Sequence, residues 1–363
     1  MHRSRASMPL TVHCLHRSGF RELLLTAAPY CHSGVDAARP CFEQLAATLA
    51  EHHAELLAMK VYGAHHARTA ILTAWHNARS ARGLIDDTPV HFLDGRPCDG
   101  GEFAGAQAWA LVQPGARVVS TVTGGRLATL PHGRLLHLTA QRGESGATFA
   151  QQAEQMFAAA AAAAEHSGFH FAQTARTWIY LADLLPDYAE LNRVRSAFYE
   201  RARVGWPAST GIQARAGDAA CVMDVLLLDG VRTHRIDRTS RQCPASAYGS
   251  AFSRGVVLEH PGGRTVHVSG TASIGGDGHS RHAGDAMAQY LETLVDVGAV
   301  LAEAGMTLAD IVQATLFCKT PAVHAACVEA HALLGLPPLP MLAVHADVCR
   351  RELLVELEAV ACR

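Results

Sequence analysis

The run Val355-Glu-Leu-Glu-Ala-Val-Ala361 sets two carboxylates in an otherwise apolar stretch. Side chains alternate along a strand, so Glu356 and Glu358 share one face while Val355 and Leu357 fill the other. A carboxylate among apolar surface is costly unless paired or functional, and burial raises its pKa toward the range of a working general acid. A paired structural glutamate is the alternative. Cys349, seven residues before Glu356, reads on its own as a buried thiol. Arg254, six residues after Tyr248, offers a planar fork beside a neutral donor, a combination suited to gripping a carboxylate. A surface arginine and a half-buried tyrosine are the alternative. Arg176 opens the apolar run RTWIYL and would receive a second anion, or sit solvated at a strand edge. Gly270-Thr271-Ala272 ends a further strand: glycine admits close approach to the backbone and Thr271 adds a hydroxyl, or the three residues simply turn the chain.

The rest of the composition excludes several classes. A formal charge of −2 with no Lys/Arg block argues against a nucleic-acid partner. No run approaches the ~18–20 apolar residues that span a bilayer, and Met1–Ser18 has no signal-peptide pattern, so no membrane partner and a cytoplasmic location are expected. None of the ten cysteines forms a C-x-x-C pair. The 22 histidines include adjacent pairs whose side chains diverge and no H-E-x-x-H, so no metal is expected. No Gly-rich phosphate loop follows a strand, so no cofactor is expected.

These residues need a scaffold, and the chain repeats one. RLLHLTAQRG (134–143) and RTVHVSGTAS (264–273) read as first strands. Helices follow over Phe149–His166 and Ala286–Glu303, each ended by a nearby glycine. Strands at 175–184 and 313–322 come next, then helices Leu191–Arg201 and Val323–Leu334. Pro-led strands at 207–212 and 340–345 and apolar strands at 220–230 and 352–362 close each copy. The order is β-α-β-α-β-β, an α/β (α+β) fold. In this alignment Asp224 takes the place of Glu356 in the second copy. A degenerate third copy is expected at the N-terminus, with strands RELLLTAA, AMKVYGA, VHFLDG and AQAWALV and a helix from Phe42 to Leu57; an unrelated α/β cap is the alternative. The predicted units are residues 1–114, 115–231 and 245–363, with 232–242 as a connector.

The V-S-G strand at 268–270, A-x-A-G at 302–305, L-A-D-I-V at 308–312 and V-E-L-E-A-V-A at 355–361 resemble the RidA/YjgF superfamily. That superfamily has a chorismate-mutase-like fold and builds trimers with active sites between subunits. The resemblance implies that repeated copies form a pseudo-trimer within one chain, working as a monomer. YGSAFSRG (248–255), HVSGTASIGG (267–276), RTWIYL (176–181) and PASTGI (207–212) resemble the chorismatase family over roughly residues 115–363.

The chorismatase resemblance implies chorismate as the substrate and the loss of pyruvate to give 3-hydroxybenzoate, with 4-hydroxybenzoate as a side product. By the same resemblance Glu356 is the general acid that protonates the enol ether, and Cys349 steers the intermediate to an aromatic product. It also implies that Arg254, Tyr248, Thr271, Gly270, Ala272 and Arg176 bind substrate. Ala272 departs from the still smaller glycine associated with hydroxybenzoate formation, which leaves open the hydrolase branch and its dihydroxycyclohexadiene carboxylate. An enamine/imine deaminase is a further alternative, but the arginine that RidA-type deaminases carry after Pro-Ala is Ser209 in copy two and Leu342 in copy three.

Overall fold

Three sheets share one strand order. The computed structural model describes residues 10–29, 34–84, 88–112 and 114–363. The first unit contains β1 (Leu10–Arg17), β2 (Phe20–Ala27), α1 (Ala38–His52), β3 (Ala54–Gly63), α2 (Arg68–Ser80), β4 (Val90–Asp94) and β5 (Phe103–Val112). The second contains β6 (Arg117–Ser120), β7 (Gly125–Leu130), β8 (Gly133–Arg142), α3 (Phe149–His166), β9 (Thr174–Leu181), α4 (Leu184–Arg201), β10 (Ala208–Gln213) and β11 (Cys221–Asp229). The third contains β12 (Arg232–Ile236), β13 (Gly255–His260), β14 (Gly263–Thr271), α5 (Ala286–Ala302), β15 (Ile311–Cys318), α6 (Pro321–Leu333), β16 (Met341–His345) and β17 (Val355–Cys362). The sheets run β1-β2-β5-β3-β4, β6-β7-β8-β11-β9-β10 and β12-β13-β14-β17-β15-β16. The N-terminal unit is therefore a RidA/YjgF-like repeat rather than an unrelated cap.

Several expectations need correction. Each unit starts with strands beyond the predicted six elements, one in the first unit (β1) and two in each of the others (β6 and β7, β12 and β13). The connector is partly strand, because Arg232–Ile236 pairs with β13 at the sheet edge. The first helix runs over 38–52 and not 42–57: His53 adopts φ 49 and ends it, releasing Ala54–Gly63 as a strand.

Local signals mark the starts of two of the other helices. Thr148 and Gln151 form a capping box on α3, and Thr320 caps α6 with Pro321 at its first turn. Each sheet packs one face on its own helices. On β17, Val355, Leu357, Ala359 and Ala361 belong to the helix-side core. The opposite faces of the three sheets turn toward one another around a pseudo-threefold axis, where Leu24, Tyr62, Trp109, Trp178, Tyr180, Leu226 and Phe317 form a shared core. At one end of the axis the units join in a ring of main-chain bonds: Asp94 N–H to Arg215 O (2.8 Å), Gln213 N–H to Asp347 O (3.2 Å) and His345 N–H to Arg96 O (2.8 Å).

Strand register fixes the equivalences among units. Lys60 opposes Gln107, Trp178 opposes Asp224, and Thr315 opposes Glu358. Two residues along, Tyr62–Gly105, Tyr180–Val222 and Phe317–Glu356 correspond. Asp224 is thus the counterpart of Glu358, and Glu356 answers to Gly105 and Val222. Matching bulges, between Leu56 and Ala58 in the first unit, at Leu226/Leu227 in the second and between Ile311 and Gln313 in the third, keep the units in step, so the two-residue offset between Asp224 and Glu356 holds along the whole strand. Likewise Leu342 opposes Thr315 and is the counterpart of Thr210, not of Ser209.

Among the described residues no helix is long and apolar enough to cross a membrane. No group of three His, Cys, Asp or Glu side chains among them is placed to hold a metal ion.

Candidate active site

A cleft of about 320 Å³ opens between units two and three. Helix α4 and β10 supply one wall, through Tyr188, Asn192, Arg195 and Ser209. The third unit supplies the other, through Tyr248, Phe252, Arg254, Gly270, Ala272, Cys349 and Glu356. Main-chain contacts hold the walls together: Ser253 N–H donates to Pro207 O (3.0 Å), and Ser209 N–H donates to Ser269 Oγ (2.9 Å).

Glu356 projects from the axial face of β17 and is 4% exposed. It makes no hydrogen bond with any described residue, so its carboxyl is free to meet a ligand in the cleft. Burial pushes it up to about 8; the Glu358 charge adds to the rise and Arg176 opposes it. Such a carboxyl is protonated at neutral pH and able to donate. Gly270 lies against it, and a methyl group there would displace the Glu356 carboxyl. The close approach that this glycine permits is to the acid.

Arg254 precedes β13 and is buried. Its Nε and Nη2 donate to Cys243 O at 3.1 and 2.7 Å, and its guanidinium lies 5.3 Å from the Tyr248 ring and 5.7 Å from Phe252. The Arg350 guanidinium also lies near the Tyr248 ring, 5.1 Å from its centre. The Cys349 thiol is pushed up to about 12, chiefly by burial and next by the Glu356 charge, and so stays protonated.

Two predicted binders lie elsewhere. Register sets Thr271 opposite Leu357, on the helix side of the sheet, and its hydroxyl donates to Ser269 O (2.8 Å). Arg176 faces the axis, donating to Glu358 Oε2 (2.8 Å) and Thr210 Oγ1 (2.5 Å). It is neither solvated nor in the cleft, because the axial face of β9 at that depth meets β17 at Glu358 and not at Glu356.

Residues 245–363 match the Endoribonuclease L-PSP family. The 3-hydroxybenzoate synthase of Streptomyces hygroscopicus is 28% identical over 226 residues, covering 53% of this chain and 64% of that protein, so the match spans under two thirds of the curated relative. A chorismatase crystal structure superposes with a TM-score of 0.63 at 18% identity, covering 85% of this chain and 93% of that one. The C-terminal third of the chain thus carries an Endoribonuclease L-PSP domain, and the chain as a whole has the fold of that chorismatase. The YjgF gene product of E. coli aligns over 31% of this chain and 87% of its own, at 24% identity and a TM-score of 0.27.

One cleft residue, Arg195, carries no strand or loop motif and was not expected from the sequence. It lies on α4, is 1% exposed, donates Nη2 to Asn192 Oδ1 (2.5 Å), and leaves Nε without a partner. Its guanidinium sits 5.6 Å from the Phe252 ring, which Arg254 also approaches. The signal was present: Leu191, Val194, Arg195 and Tyr199 form one buried helical stripe, and an arginine in such a stripe needs a reason.

Proposed function

We propose that the chain releases pyruvate from chorismate, with Glu356 as general acid, to give 3-hydroxybenzoate. The observation that carries this reading is one buried, hydrogen-bond-free carboxyl facing a cleft that also holds two buried guanidinium groups. Chorismate has two carboxylates, and burying each costs several kcal/mol unless donors receive it. Arg254 and Arg195 are the receivers, Arg195 taking the role first assigned to Arg176. Phe252 between them and Tyr248 beside Arg254 supply apolar surface for the ring.

Protonation of the enolpyruvyl methylene carbon by Glu356 turns the enol ether into an oxocarbenium centre, from which the ether C–O bond breaks. Hydroxybenzoate plus pyruvate have together the composition of chorismate, so that branch consumes no water, whereas the hydrolase branch consumes one. Cys349 and Ala272 both line the cleft, and the reading takes Cys349 as the residue that favours the aromatic product. Ser209 lines the cleft where deaminases carry arginine, which counts against enamine chemistry.

The test is to incubate the protein with chorismate, assay pyruvate and chromatograph the products. Stoichiometric pyruvate with 3-hydroxybenzoate is expected; no pyruvate would sink the reading, and a dihydroxydiene would move it to the hydrolase branch. The monomeric state proposed with it predicts one chain per particle in light scattering.

A further inference from the structure

On the pseudo-threefold axis, apart from the cleft, lies a small chamber of about 60 Å³. Equivalent positions of the three units line it: Leu24, His137 and His267 from the strands just before the first helix of each unit, Ala58, Arg176 and Gln313 from the strands just after it. Lys60, Trp178 and Thr315 form a further tier. In an identical trimer each tier would be one residue three times over. Here the tiers are mixed, and the mixture leaves donors without acceptors.

Lys60 is 8% exposed, and its ammonium lies 3.8 Å from the centre of the Trp178 ring. No described residue gives it a hydrogen bond or an ion pair. Arg176 engages Glu358 and Thr210 through Nη2 alone; its Nε and Nη1 are buried without partners, as are both ring nitrogens of His267. The amide of Gln107 is already spent, donating to Ala314 O (2.7 Å) and accepting from Thr315 (3.1 Å). Two cations and one carboxylate, Glu358, therefore line the chamber. The next carboxylate, Asp224, lies outside the lining, 2.8 Å from His91 Nδ1 and accepting from Ala140 N–H (2.8 Å).

We infer that this chamber binds one small monoanion of halide size, held by Lys60 Nζ and the free edge of the Arg176 guanidinium. Charge selects it and the size admits it. A water needs roughly 10–15 Å³ of such space, so the chamber of about 60 Å³ has room for one halide together with a few waters. One surplus positive charge matches a monoanion and not a dianion. Water accepts two hydrogen bonds at most, whereas a halide accepts from every donor that converges on it, which suits a lining rich in N–H groups. The ion would tie units one and two together at the axis and act on stability rather than on chemistry in the cleft.

The experiment uses the intact chain. Crystals grown in sodium bromide should show an anomalous bromine peak within hydrogen-bond reach of Lys60 Nζ and Arg176 Nη1. In thermal melts at matched ionic strength, chloride or bromide should give a saturable rise in Tm of about 3 °C that sodium gluconate does not give. Lys60→Met, which keeps the length and removes the charge, should abolish that halide-specific rise. A chamber without anomalous signal, or a Tm that responds alike to gluconate and bromide, would overturn the inference. An unfolded Lys60→Met leaves the bromide peak in the unsubstituted protein as the deciding measurement.

Discussion

The junction between units two and three and the junction between units three and one use the same strand positions for opposite ends. At the first, Thr210 of β10 meets Gly270 and Glu358, accepting from Gly270 N–H (3.0 Å) and donating to Glu358 Oε2 (2.6 Å), while Glu356 opens into the cleft. At the second, Leu342 stands in the place of Thr210 and Gly105 in the place of Glu356. A Cβ on Gly105 would meet both the Leu342 side chain and the Ala27 carbonyl at 2.5 Å, so no side chain fits there. The junction between units one and two follows neither plan, with Val222 in place of Glu356 and the His91–Asp224 pair in place of Thr210–Glu358. Fusion of the copies is what allows this, since an identical trimer would carry every substitution at all three junctions.

The sharpest way to break the comparison is Glu356→Gln. It keeps the shape but cannot donate a proton to carbon, so kcat should fall at least ~10²-fold with KM little changed. The same variant has a stability signature. The Glu356 carboxyl titrates near 8 in the folded chain against an ordinary value of 4.5. Between those values the folded state holds the extra proton, so stability drops as pH rises through this window. Glu356→Gln should therefore melt above the unsubstituted protein at pH 9 and near it at pH 4. A variant equally stable at both and still releasing pyruvate would remove Glu356 from the role of buried acid.

Arg254→Ala and Arg195→Ala come next. Each removes one charge-assisted anchor, and kcat/KM for chorismate should fall by roughly 10²-fold. Unchanged steady-state constants for Arg195→Ala would return the second carboxylate to some other group. Leu342→Ala supplies the converse at the closed junction: a loss of about 2–5 kcal/mol in denaturant unfolding, with kcat unchanged in the folded protein. If it costs activity instead, the junctions are not independent.

Glu358→Gln should have the smallest effect on rate and the most informative pH profile. Removing the Glu358 charge leaves Arg176 to act alone on Glu356, which lowers the acid's pKa. Because the protonated form is the active one, the alkaline limb of kcat should move to lower pH while activity at pH 5 persists. An unshifted limb would show that the two carboxyls do not interact.

Much of this was legible in the residues. The repeat of units two and three was visible in the matching strand–helix order, and the alternation in VELEAV put both glutamates on one face. Arg254, Tyr248, Gly270, Ala272, Cys349 and Glu356 carry visible signals and do share the cleft. Other features were hidden for physical reasons. The strands β6 and β12 are short edge strands with polar residues, and nothing in their pattern separates them from loops. The end of α1 depends on His53 entering the left-handed region, within a run of good helix formers. Alternation tells which face a strand residue takes, but not how far along that face it lies; Arg176 and Asp224 were both misplaced for that reason. Arg195 shows itself only as one charged member of a buried helical stripe, a signal fainter than a carboxylate in an apolar strand.

The first hairpin is tied to the last unit. Arg17, paired with Glu22 (2.8 Å), also donates to Thr265 Oγ1 (2.6 Å), and Ser18 N–H donates to Pro261 O (2.8 Å). On the ribosome these partners emerge some 240 residues apart, a wait on the order of tens of seconds at about 5–20 residues per second. Throughout that interval the nascent N-terminal sheet lacks its third-unit partners, and until the second unit is made it presents Leu24, Tyr62, Trp109 and Leu111 to water. The first-made unit is thus the segment most in need of a chaperone, and the protein's yield in the cell should depend on how fast translation reaches its C-terminal third.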